Sequence, residues 1–165
     1  MIMTEHPGED ATPFEQADYE IRRVDHLIYV SLKYTRTVDV IKNIVARLIM
    51  TYDFVWDELL HQALQEKKIY EIPSAPGVKC NSLKKLHSDD ETILKELEFY
   101  LLLRQFQNAS YSAVQEYRRH VTMKATFANG DQQDLNIDIM TEYYKQAREF
   151  IEFIRKNYTS EQEAI

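Results

Sequence analysis

Glycine and proline are scarce in this chain: three glycines and four prolines in 165 residues. Barrels and sandwiches need a turn about every 8 to 12 residues, so that scarcity excludes most all-β architectures and points to long helices. With so little glycine there is no phosphate-cradling loop of the P-loop or dinucleotide type, and no serine sits in a Gly-x-Ser-x-Gly elbow. A single cysteine, Cys80, excludes an internal disulfide framework. No apolar run approaches the ~20 residues of a membrane span. The first ten residues are acidic and polar where a signal peptide would need a basic start and an apolar core, which predicts a cytoplasmic protein. Basic charge is also in deficit. A formal net charge of -7 argues against bulk attraction to nucleic acid or anionic lipid, although a local basic patch can still bind either.

What is present is hydrophobic periodicity. Hydrophobic residues make up 44% of the chain, enough for one domain with an ordinary core. Residues 1–11 read as a disordered tail and 12–160 as a single helical-bundle domain. Thr12-Pro13-Phe14-Glu15 has the form of a capping box with proline at the first helical position. From Val24 the seam Leu27, Ser31, Tyr34, Val38, Ile41, Val45, Leu48, Tyr52, Val55 and Leu59 advances by threes and fours, the spacing of a helix pressed against other helices. A continuous helix from Pro13 to Lys67 would be about 80 Å long. Such a length predicts either a break near Ser31 to Thr37 or a helix that protrudes into a second subunit. The absence of Gly, Asn or Pro there favours a near-continuous, kinked helix and therefore a homodimer.

Pro73, Pro76 and Gly77 mark residues 69–87 as a loop, and Ser88-Asp89-Asp90-Glu91 opens another helix, extending to about Arg118. The period then changes from helical to two. Val121, Met123, Ala125 and Phe127 alternate with polar residues, as do Leu135, Ile137 and Ile139 after Ala128-Asn129-Gly130, which predicts a hairpin over 121–137. Only a three-residue loop with Gly130 in the left-handed region places Met123 opposite Leu135 and keeps apolar side chains on one face. A final helix runs from about Asp138 to Tyr158, with Arg155 and Lys156 complementing its C-terminal dipole. The expected fold is mainly α: a bundle of three to four long helices with one β-hairpin between the last two.

Candidate chemistry is sparse. Asp53, Asp57 and His61 fall at i, i+4 and i+8 on one helix face, the minimum for a helix-borne metal site and for a metal-dependent hydrolase of the bundle type. A solvated polar stripe has the same spacing. Arg104, Arg118, Arg119, His120 and Lys124 gather near the start of the hairpin with Tyr111 and Tyr117 among them, the mixture of cations and aromatics that phosphate contact and base stacking require. Pairing with this acidic chain's own carboxylates is the competing explanation. Cys80 is followed by lysines and His87 but has no partnered base. The reading carried forward is a non-enzymatic helical protein acting through protein–protein interaction as a homodimer, without a cofactor. Its alternatives are a nucleic-acid or nucleotide-binding domain using the junction around Arg118, and the hydrolase.

Overall fold

A computed structural model describes residues 6–159. The predicted capping box starts helix α1 (Pro13–His26), where the Thr12 hydroxyl accepts the Glu15 amide at 3.1 Å. The chain continues through a π-helical turn, Leu27–Ser31, and a last α-turn, Leu32–Tyr34. It then breaks at Thr35–Thr37 and reverses into α2 (Val38–Gln65). No glycine is needed for this reversal. Thr37 takes an extended backbone and accepts the Val40 amide, while the carboxylate of Glu116, brought from far along the chain, accepts the Val38 amide at 3.0 Å. The near-continuous helix expected from sequence is thus two antiparallel helices packed along their lengths. Val24 and the seam from Val38 to Leu59 are buried within one chain, whereas Leu27 and Ser31 are only partly buried and Tyr34, before the break, stands in solvent. Length therefore no longer argues for a second copy.

The stretch expected to be a loop contains helix α3 (Pro76–Leu86), with proline at its first turn. Helix α4 (Glu91–Asn108) is capped by Asp90, whose carboxylate accepts the Thr92 and Ile93 amides. It ends ten residues earlier than the Arg118 limit read from sequence. The next residues form strand β1 (Ser110–Val114), followed by β2 (Thr122–Thr126) and β3 (Gln132–Asn136) in an antiparallel sheet of order β1-β2-β3. The simple hairpin is therefore a three-stranded sheet, and among the described residues the bundle has five helices rather than three or four, the last being α5 (Ile137–Tyr158). β1 escaped detection because Ser110 to Ala113 are all exposed, so no alternation of apolar residues marks the strand.

The hairpin register stands. Met123 pairs with Leu135, and both face inward with Ala125 against the bundle. One apolar cluster joins this sheet face to α1, α2, α4 and α5, with Tyr52 and Trp56 in ring contact with each other and each with Tyr100 and Phe150. Among the described residues no helix is long and apolar enough to cross a membrane.

Gly130 has φ +92° in the hairpin loop, where an added Cβ would meet no atom within 4 Å. A substitution there is strained by backbone conformation alone. Gly130→Val should cost about 1 kcal/mol or more, and Gly130→Asn less, because asparagine tolerates the left-handed region. Chemical denaturation of the two variants checks the order.

Candidate arginine-lined cleft

The candidate metal residues are already engaged. Asp53 accepts the Tyr100 hydroxyl at 2.5 Å, Asp57 pairs with Lys79 at 2.8 Å, and His61 Nδ1 meets its own helix at the Asp57 carbonyl. Among the described residues no group of three or more His, Cys, Asp or Glu side chains is placed to hold a metal. Burial raises the Asp53 carboxyl above its usual range, opposed by the Tyr100 hydrogen bond and by Lys79 and Arg104. Cys80 is buried on α3 rather than displayed on a loop, and desolvation pushes its thiol up, away from the thiolate a nucleophile needs.

The basic junction is divided by the fold. Arg104 lies over the Tyr100 ring, beside Asp53 and Cys80. Lys124 is on the outer face of the sheet, 3.5 Å from Asp134. Arg118, Arg119 and His120 are exposed in the loop between β1 and β2, where Arg119 pairs with Asp138 at 3.0 Å.

A different set of cations converges. α1 and α5 pack antiparallel, and between them opens a cleft of about 800 Å³ lined by Arg22, Arg23, Arg148 and Arg155 together with Asp18, Asp25, Glu152 and His26. Small-molecule sites commonly span about 300–1,000 Å³. The positions follow from helical geometry. Phe14, Ala17, Ile21, Val24 and Ile28 occupy the core face of α1, which leaves Asp18, Arg22 and Asp25 one step around the helix. On α5, Tyr144, Arg148 and Arg155 recur at i, i+4 and i+11 beside the buried row Ala147, Ile151 and Ile154.

Ion pairs and hydroxyl bonds set the arginines in place. Asp18 receives Arg22 at 2.7 Å and Arg155 at 3.4 Å, and Arg155 also pairs with Glu152 and lies 5.1 Å over the Phe14 ring. Arg23 donates to the Tyr19 hydroxyl at 3.2 Å, and Arg148 to the Tyr144 hydroxyl at 3.4 Å. Neither Arg23 nor Arg148 pairs with a carboxylate among the described residues. Tyr144 in turn donates to Asp25 at 2.6 Å, and Tyr29 of the π-helical turn packs edge-on against its ring at 6.0 Å. π-turns inside helices recur at functional sites. Here the turn supplies Leu27 and Val30 to the cleft wall and holds Tyr29 half exposed against the Tyr144 ring.

Sequence reasoning missed this cleft because its cations belong to two segments more than a hundred residues apart. Arg155 was legible only as a dipole partner. Antiparallel packing of the first and last helices supplies the missing link. No family model matches the chain, and no curated protein or solved structure matches it.

Burial, then the bond to Asp25, pushes the Tyr144 hydroxyl up to about 12, against the pull of Arg148. The protonated phenol is therefore the favoured form in the folded state. Its contribution is complete below the unfolded phenol value of about 10 and is lost as the pH rises through about 12. Stability should fall over that interval, and Tyr144→Phe should lessen the fall. Denaturant melts between pH 9 and 12, with phenolate absorbance followed in parallel, check both expectations.

Proposed function

We propose that this protein binds a phosphate-bearing ligand of nucleotide size in the cleft between α1 and α5. One observation carries the reading: in a chain of net charge -7, four arginines meet three carboxylates in one cleft. Two of those arginines, Arg23 and Arg148, bond only to neutral tyrosine hydroxyls. A guanidinium held by a hydroxyl keeps its full charge and its remaining N–H donors. It therefore suits bidentate recognition of a phosphate better than one neutralised by a carboxylate. Asp18 has a different part. It fixes Arg22 and Arg155 from opposite walls, so that part of the ordering cost of binding is met before a ligand arrives.

The neutral groups match the rest of a nucleotide. Tyr29 and Tyr144 offer an aromatic edge at one end of the cleft, and Asp25, which accepts from Tyr144, offers a carboxylate acceptor for a hydroxyl-bearing sugar. No group in this arrangement demands a metal. The arrangement supports binding and orientation, and the reading assigns no reaction.

Isothermal titration with a nucleoside monophosphate, with inorganic phosphate as competitor, tests the proposal. Arg23→Glu and Arg148→Glu should each weaken binding about tenfold or more, the effect of losing a charge-assisted hydrogen bond of roughly 1.5–3 kcal/mol. Both side chains belong to exposed positions, so circular dichroism should report unchanged folding. Lys85→Glu on α3 should leave affinity unaltered. Binding that phosphate does not displace, or that Lys85→Glu weakens equally, would overturn the reading.

A further inference from the structure

The loop between β1 and β2 holds two non-glycine residues in the left-handed region, Gln115 at φ 56° and Tyr117 at φ 66°. Such conformations persist only where the surroundings over-determine them. Here the surroundings are explicit: the Tyr117 amide donates to the Arg36 carbonyl at 2.6 Å, and the Glu116 carboxylate accepts the Val38 amide. The strain positions a large side chain in water. Tyr117 is 77% exposed, where glycine or asparagine would fit the backbone at lower cost. Two residues before Arg36, Tyr34 is 79% exposed, with Lys33 5.9 Å from its ring centre. Arg118 follows Tyr117 and forms no ion pair among the described residues.

In this platform, Tyr34 follows the arginine-lined cleft on the same helical segment, beyond Val30. Along the antiparallel pair, Asp18 meets Arg155 and Asp25 meets Tyr144. The same order brings the start of α5, where Asp138 holds Arg119, toward the Tyr34–Arg36 end of the first helical segment. From Arg22 to Tyr34 is about 18 Å at 1.5 Å per residue. That length exceeds a mononucleotide.

We infer that the ligand class is single-stranded nucleic acid, its phosphates held by the cleft arginines and its bases stacking on Tyr34 and Tyr117 where the strand leaves the cleft. This rests on the phosphate-binding reading of the cleft. Exposed rings set among unpaired cations give the stacking and backbone contacts that sequence-tolerant single-strand binding uses. The protein's net negative charge confines attraction to that face.

Fluorescence anisotropy with labelled oligo-U and oligo-dT of two, five and ten nucleotides, alongside mononucleotide titration, tests the inference. Affinity should rise with length, and Tyr34→Ala should weaken the ten-nucleotide complex about fivefold or more while leaving mononucleotide affinity unchanged. Tyr117→Asn, which suits the left-handed backbone, should act like Tyr34→Ala. Arg118→Glu should reduce the log–log salt slope for the longer strands by about 0.7. A mononucleotide affinity sensitive to Arg148→Glu, with no gain for longer strands, would overturn the inference and leave the cleft reading standing. Length-dependent binding indifferent to Arg148→Glu would overturn both. Displacement of the ten-nucleotide strand by polyglutamate at equal charge concentration would also overturn the inference, assigning the face to an acidic protein.

Discussion

The reversal at Thr35–Thr37 is the constraint on which the rest depends. Without it the first two helices would form one rod of about 80 Å, and neither a compact core nor the cleft would exist. Three residues achieve the turn without glycine because their polar groups are met from elsewhere: Thr37 caps its own helix, Glu116 takes the Val38 amide and Tyr117 donates to the Arg36 carbonyl. A sequence-distant loop thus stabilises the turn, which in turn holds that loop in its strained form. Helix pairing then adds a part-buried ion pair between Glu20 of α1 and Arg47 of α2, at 3.3 Å. Removing Arg47 would leave the buried Glu20 carboxylate without its partner, whereas Arg47 keeps access to water.

Four tyrosine hydroxyls donate to carboxylates across the bundle: Tyr52 to Glu96, Tyr100 to Asp53, Tyr144 to Asp25 and Tyr158 to Asp90. Tyrosine suits this duty because its ring joins the core while its polar end reaches a partner at the margin. Tyr52 and Tyr100 tie α2 to α4 in both directions, Tyr144 ties α5 to α1, and Tyr158 ties the end of α5 to the cap of α4. For each tyrosine, desolvation followed by its carboxylate raises the phenol, so these links share one response to alkali. The abundance of tyrosine therefore has a structural explanation for its buried members. It does not cover Tyr34 and Tyr117, which are tied to no carboxylate and stand in solvent.

Local patterns were legible in the sequence, and distant convergence was not. The Thr12 cap, the Met123–Leu135 register and the left-handed Gly130 each follow from a few neighbouring residues, and each is present. The break before α2 was legible only as an option, because the groups that permit it include Glu116, about eighty residues away. β1 was missed since its pairing with β2 comes from backbone complementarity, with Tyr111 and Val114 spaced as they would be on a helix. α3 was obscured by Pro76 and Gly77, read as loop markers although proline at a first turn is compatible with a helix. At the candidate site the arginines themselves were visible, but contiguity was the wrong criterion. Arg104 and Arg118 are closer in sequence than Arg22 and Arg155, yet it is the latter two that share Asp18.

The sheet connects the platform to the helix that forms one cleft wall. Met123, Ala125 and Leu135 bury its inner side against the bundle, so β2 and β3 are anchored while the loop between β1 and β2 meets the reversal at Arg36 and Val38. β3 passes directly into α5, where the Asn136 side chain accepts the Ile139 amide and begins the helix that carries Arg148 and Arg155. The same sheet therefore sets the start of one cleft wall and the position of Tyr117. A change that loosened β2 against the core would displace both, whereas a change at Tyr34 would touch only the platform. This asymmetry makes the exposed tyrosines, rather than the sheet, the right place to separate recognition from folding.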